Sequence, residues 1–175
     1  YRFPTLVMCD MLGLEESEFS DELLLQLNQA IADTFPVFET RALSDDELAL
    51  ANRQMEFLTA FFDDLFARRR LNPKDDLSTA LAMANEGGNS LSPEELSTSV
   101  IGLFGAGFET TAHMIGNGLY LLGAHPSERA KLNADLSLAS AATEEITRFE
   151  SSLQATYRTA LSDTVVGDQP IQAGE

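Results

Sequence analysis

Apolar residues recur every three or four positions through most of the chain, the spacing that gives a helix one apolar face. Residues 1–15, YRFPTLVMCDMLGLE, are apolar and end near Gly13. A helix is predicted over 17–32, with Phe19, Leu23, Leu24, Leu27 and Ile31 on one side. TFPVFETRAL is a connector. Ser44 and Glu47 then form a capping box ahead of an apolar-periodic run to about Arg70. RRRLNPKDD breaks that run, with Pro73 as the stop. A short helix over 75–85 ends at NEGGNS, whose glycines predict a flexible turn.

The longest element follows. Ser92, Pro93 and Glu95 combine an N-cap, a first-turn proline and a capping-box glutamate. No proline interrupts the chain until Pro126. That permits a helix of about 48 Å at ~1.5 Å per residue, enough to cross a domain. Helices are also predicted over 127–133 and 139–151. In the tail, ATYRTALSDTVVGDQPIQAG, β-branched residues and Gly-Asp turn chemistry predict short strands. There is no internal repeat or low-complexity tract. The predicted class is mainly α, with a few short β-strands at the C-terminal end.

Composition narrows the function. The 175 residues, 44% of them hydrophobic, suffice for one ordinary domain with a core. With 28 acidic and 11 basic residues the net charge is −17. This argues against binding nucleic acid through phosphates and against association with anionic membrane surfaces. The sole cysteine, Cys9, excludes an internal disulfide and a multi-cysteine metal site. The longest apolar run, Val100–Phe108, falls short of the roughly 20 residues of a membrane span. With no signal-peptide pattern, the expected location is cytoplasmic. Tyr1 and the closing IQAGE both read as cuts in a longer chain.

The chemistry concentrates in GLFGAGFETTAHMIGNG, residues 102–118. This stretch is expected to lie in the middle of one long buried helix. Gly102, Gly105 and Gly107 weaken a helix interior by up to ~1 kcal/mol each relative to alanine. Either helices pack closely there, or something flat lies against the backbone. Glu109 is an acid in apolar surroundings. Thr110 and Thr111 can bond back to carbonyls and loosen the helix, and an opened turn often marks a site. An acid beside a hydroxyl is what a proton relay needs. Against this, Glu109 can be an ion-pair partner and Thr111 a packing residue. Glu109 and His113 share a face, but the Glu-x-x-His of di-iron bundles is absent. Glu145 and Arg148 also share a helix face, as many surface pairs do. Arg158 stands in a strand-like segment and suits bidentate contact with carboxylates.

AGFETT (106–111) resembles the distal-helix signature Ala/Gly-Gly-x-Asp/Glu-Thr-Thr/Ser of the cytochrome P450 family, the heme-thiolate monooxygenases. EITR (145–148) is similar to that family's Glu-x-x-Arg, and ATYRTAL to the strand bearing its propionate-binding arginine. Order and spacing agree with soluble bacterial members over essentially all 175 residues. The resemblance implies a partial cytochrome P450 fold: long distal helix, lid helices at 17–32 and 45–70, and the Glu-x-x-Arg helix. Residues 1–175 would form a single partial domain, lacking an N-terminal part and the C-terminal heme-thiolate loop.

The resemblance also implies roles. Glu109 and Thr110 match the acid–alcohol pair of proton delivery in O2 activation. Ala106 and Gly107 match positions passing over the cofactor, heme b (iron protoporphyrin IX), whose flat face would explain the glycines. Phe108 and Ala112 would border the substrate pocket, and Arg158 would hold a heme propionate. Glu145 and Arg148 match a buried structural ion pair. The axial cysteine ligand would lie beyond this chain, leaving Cys9 as a core residue and no metal ligand here. The implied activity, in the full-length chain, is insertion of one oxygen atom into a small hydrophobic organic substrate, with electrons from a ferredoxin or reductase. The competing reading is a truncated, heme-free helical protein or interaction module. A non-heme di-iron or hydrolytic enzyme lacks its ligand set.

Overall fold

The computed structural model describes residues 2–15, 18, 20–39, 41–84 and 91–175. The chain divides into two compact units, Tyr1–Gly116 and Asn117–Glu175. The division falls within its longest helix.

The first unit is helical: α1 (Arg2–Met11), α2 (Asp21–Thr34), α3 (Asp45–Leu71), α4 (Leu77–Ala82) and most of α5 (Pro93–Ala124). Local capping sets the helix starts. Ser20 Oγ accepts from the Leu23 amide at 3.1 Å, so α2 begins at Asp21, later than periodicity alone predicted. Phe19 and the NEGGNS turn lie outside the described residues. At α3 the expected box is present: Glu47 N donates to Ser44 Oγ at 3.3 Å and Ser44 N donates to Glu47 Oε2 at 2.8 Å. Three acids open α3 and Arg68, Arg69 and Arg70 close it, matching both ends of the helix dipole. The Ser92–Glu95 box opens α5 in the same way, at 2.8 and 3.1 Å. The short helix is trimmed to Leu77–Ala82, because Asp76 stands outside it as the cap, accepting from Thr79 N at 2.7 Å.

The core of this unit joins Met8, Cys9 and Leu12 of α1 to the inner faces of α2, α3 and α5. Leu58, Phe62, Leu65 and Phe66 supply the α3 face, and Leu96, Val100, Phe104 and Phe108 the α5 face. The Phe62 and Phe104 rings meet edge-on at 5.8 Å, a favoured aromatic geometry. Two expectations about α5 need correction. It is not buried throughout: its buried apolar stripe runs from Leu96 to Phe108, and Leu119 and Tyr120 are exposed. Nor is there an opened turn, since 93–124 is continuous α-helix.

The second unit contains the end of α5, then α6 (Pro126–Ala134), α7 (Ala139–Phe149) and a hairpin of β1 (Thr164–Val166) and β2 (Gln169–Ile171). The strands are antiparallel, with Thr164 opposite Ile171. Gly167 takes φ +62° in the two-residue connection, a conformation that favours glycine. The strand expected around Arg158 is absent. Among the described residues no strand pairs with it; only Ala160 exchanges backbone bonds with Gly174 and Glu175, at 2.8 Å each. Within this unit α5 and α7 approach at Gly118, where an added Cβ would lie 3.3 Å from Ile146 Cδ1. No helix among the described residues is long and apolar enough to cross a membrane.

Candidate functional site

One turn of α5 brings together Ala106, Gly107, Glu109 and Thr110. Thr110 Oγ1 donates to the Ala106 carbonyl at 2.6 Å. Glu109 is half-buried, and its Oε2 is buried without a hydrogen-bond partner among the described residues. An unsatisfied buried acceptor costs about 1–3 kcal/mol, so such an atom in a folded chain calls for an explanation. The atom stands next in sequence to a hydroxyl whose proton is committed only to a backbone carbonyl. The carboxylate oxygen can accept a proton and the hydroxyl can donate one to a group placed against this turn.

The three glycines separate by what surrounds them. A Cβ at Gly105 would lie 3.2 Å from Ile31 Cγ2 on α2, and one at Gly107 would lie 2.4 Å from Met8 Sδ on α1. Close helix packing therefore accounts for both, where a flat macrocycle had been the alternative. Gly102 faces open space among the described residues.

The remaining expected site residues are scattered. Phe108 is 2% exposed, with its ring 6.0 Å from Phe104, so it braces α5 from the core. Ala112 is half-buried and His113 exposed. Cys9 is fully buried in α1, and burial pushes its thiol up to about 11, which disfavours the thiolate a metal would need. Arg158, in the second unit, is exposed and donates to its neighbour's carbonyl, Tyr157 O, at 2.7 Å.

The Glu145–Arg148 pair forms as the spacing required. Arg148 Nε reaches Glu145 Oε2 and its Nη2 reaches Oε1, both at 2.7 Å. Within this chain the pair is exposed where the resemblance implied burial: Arg148 is 68% and Glu145 61% exposed. The face of α7 that carries both is open to water. The Arg148 guanidinium still holds the Glu145 carboxyl below its usual range.

Sequence reading missed a buried charge cluster in the first unit. Arg69 is 2% exposed; its Nε donates to Asp76 Oδ2 at 2.6 Å, and its Nη2 donates to the Gly13 carbonyl. Glu18 Oε2 stands 3.5 Å from the same guanidinium, and Glu18 Oε1 accepts from Arg68 Nη1. Burial pushes the Asp76 carboxyl up, but bonds from Thr79 and Arg69 outweigh it and hold the group below its usual range. Glu18 is lowered the same way: burial opposes, while the Glu15 amide and both arginines prevail. A signal was available. Phe62, Leu65, Phe66 and Arg69 share one helical stripe, so spacing alone placed Arg69 on the buried face.

Comparison with known proteins gives the family. The family model described as Cytochrome P450 matches residues 15–175. "Putative cytochrome P450 133B1" of Xylella fastidiosa is 34% identical over 174 residues, covering 99% of this chain and 42% of that protein. Vitamin D(3) 25-hydroxylase of Pseudonocardia autotrophica is 34% identical over 177 residues, covering 100% and 41%. The crystal structure of P450BioI in complex with an acyl carrier protein ligated with hexadec-9Z-enoic acid superposes with a TM-score of 0.85. It is 30% identical and is matched over 98% of this chain and 42% of its own. The chain thus spans about two-fifths of the length of the curated relatives it matches.

Proposed function

Because the chain belongs to the cytochrome P450 family, we propose that it supplies the distal half of a heme monooxygenase site. In this reading α5 lies over the cofactor, α2 and α3 act as lid helices, and Glu109 with Thr110 forms the proton relay. The observation that carries it is the buried, unpartnered Oε2 of Glu109, on the same helix turn as the Thr110 hydroxyl that bonds Ala106 O. A bound heme would supply activation of O2 and insertion of one oxygen atom into an organic substrate.

This chain's residues do the rest. Glu109 takes up a proton at Oε2. Thr110 releases its bond to the Ala106 carbonyl and passes its hydroxyl proton toward the heme side, replenished through Glu109. The small, exposed Ala106 lets the helix backbone come close to the cofactor, while Gly107 beside it packs on Met8, and Ala112 offers a small half-buried wall for substrate. The guanidinium of Arg158, with one bond to Tyr157 O, keeps donors free for a propionate. Glu145 and Arg148 act as a structural pair in the longer protein. The distal residues fit a heme; Cys9 does not fit as its ligand, being sealed in the core with a raised pKa of about 11. The residues 1–175 then act as one partial domain of the longer protein. The relatives' names refer to vitamin D(3) and to a long fatty acyl group, so the substrate class proposed is a hydrophobic organic molecule. Electrons would come from a ferredoxin or reductase, and the acidic balance of these 175 residues disfavours nucleic acid and anionic membranes at this part of the surface.

A second reading, a heme-free interaction module, draws on exposed apolar residues such as Leu119, Tyr120 and Phe149. Substitution in the longer, heme-loaded protein separates the two. Glu109→Gln is expected to lower product formation by about 10²–10⁴-fold, the range of a general acid–base group. Electrons would then be diverted to hydrogen peroxide. Unchanged product per electron consumed would reject the relay.

A further inference from the structure

The relay turn of α5 rests on a side chain from another helix. We propose that Met8 of α1 is a positioning residue for the Ala106–Thr110 turn, a role that builds on the relay reading of Glu109 and Thr110. Met8 is 6% exposed, and its thioether occupies the space where Gly107 has no side chain. A Cβ at position 107 would lie 2.4 Å from Sδ, 3.1 Å from Cε and 3.2 Å from Cγ.

Gly107 sits inside the turn that the Thr110 hydroxyl closes on the Ala106 carbonyl at 2.6 Å. Thr110 is three residues on, so it shares a helix face with Gly107. A hydroxyl bonded back to the carbonyl four residues earlier tends to bend a helix, and glycine adds no side chain to resist. The support comes from Met8 instead. A thioether suits this place because it is unbranched and fills irregular gaps.

The support is itself held firmly. Thr5 Oγ1 bonds Asn28 Oδ1 of α2 at 2.8 Å, and Ser78 Oγ donates to the Leu12 carbonyl at 2.6 Å. Just beyond α1, the Gly13 carbonyl accepts from Arg69. With α1 held in this way, a change at Met8 or Gly107 is taken up where the Met8 side chain meets the relay turn. On this basis the depth at which the Thr110 hydroxyl is presented depends on the fit between Met8 and Gly107.

The test uses M8A, M8L, G107A and the double variant M8A/G107A in the 175-residue chain. Two quantities are read: the thermal midpoint, and the 13Cβ signal of Thr110, assigned by its loss in T110V. M8A and G107A should each shift the Thr110 signal, and M8L should leave it in place. The double variant should return it most of the way, because the methyl added at 107 enters the space M8A vacates. A lowered thermal midpoint with an unmoved Thr110 signal in both single variants overturns the proposal, since Met8 then only packs. A shift that the double variant fails to reverse overturns it too. If M8A does not fold, G107A alone decides by the same signal. Failure of the relay reading shows separately, as unchanged coupling of electrons to product when T110V is placed in the heme-loaded longer protein.

Discussion

Arg69 and Arg148 each hold a carboxylate through Nε at almost the same distance, 2.6 and 2.7 Å, in very different surroundings. Arg69 is buried, with Asp76, Glu18 and the Gly13 carbonyl drawn around it from three segments of the first unit. Arg148 lies open to water, its side chain bonded to one partner on its own helix. A buried guanidinium loses its hydration, so the fold must surround it with acceptors. An exposed one exchanges its partner for water at little loss. Bond length therefore says little about what an ion pair contributes; the medium around it decides. The Arg69 cluster ties the end of α3 to the turn after α1 and to the cap of α4. The Arg148 pair joins two positions of α7.

The sharpest way to break this comparison is Arg69→Ala, which leaves buried carboxylates without their counterion. It should destabilise the first unit by about 3–5 kcal/mol in denaturant unfolding. A loss below about 1 kcal/mol would put Arg69 in the same class as exposed pairs. Next is Gly13→Ala. Gly13 has φ +75°, and a Cβ there would come within 2.1 Å of Asp76 Oδ2. The backbone alone should cost about 1–3 kcal/mol, and displacement of Asp76 should add to it. A thermal midpoint equal to the parent's would show that the cluster tolerates a shifted Asp76.

A third effect is the acid limb of stability. Asp76 and Glu18 have folded pKa values held below the ordinary 3.8 and 4.5. The unfolded chain therefore binds protons more readily, and the stability these groups contribute is complete above those ordinary values. It is lost as pH falls through them toward the folded values. Glu18→Gln should flatten the decline of thermal midpoint below about pH 5; an unchanged slope would remove Glu18 from the account. The smallest effect expected is from Glu145→Gln in this chain. The thermal midpoint should stay within measurement error, and a clear drop would mean the α7 pair is more sheltered than its exposure indicates.

What could be read from sequence divides along similar lines. The starts of α3 and α5 were legible because Ser44–Glu47 and Ser92–Glu95 carry their whole signal within four residues. Residues on one helix face were legible too, including the Glu145–Arg148 contact. Burial was not, because it depends on what other segments cover. Arg69 was passed over as one of three consecutive arginines, although its stripe already pointed inward. The resemblance implied a pocket wall at Phe108, whose spacing from Leu96, Val100 and Phe104 places it in the core. At Gly105 and Gly107 sequence alone is compatible with close packing or an open face, and the neighbours that decide it, Ile31 and Met8, come from other helices. The segment around Arg158 has strand-forming residues, but a strand needs a partner, and propensity gave way to its absence among the described residues.

The central claim is that this chain carries the distal half of a heme site and not the iron ligand. Titrating the 175-residue chain with heme, then reducing it and adding carbon monoxide, tests that claim by absorbance. No thiolate-type Soret band is expected, because Cys9 is sealed among the core residues of α1. A stoichiometric band of thiolate type would mean that Cys9 reaches the iron, and would contradict both its burial and the proposed division of the site.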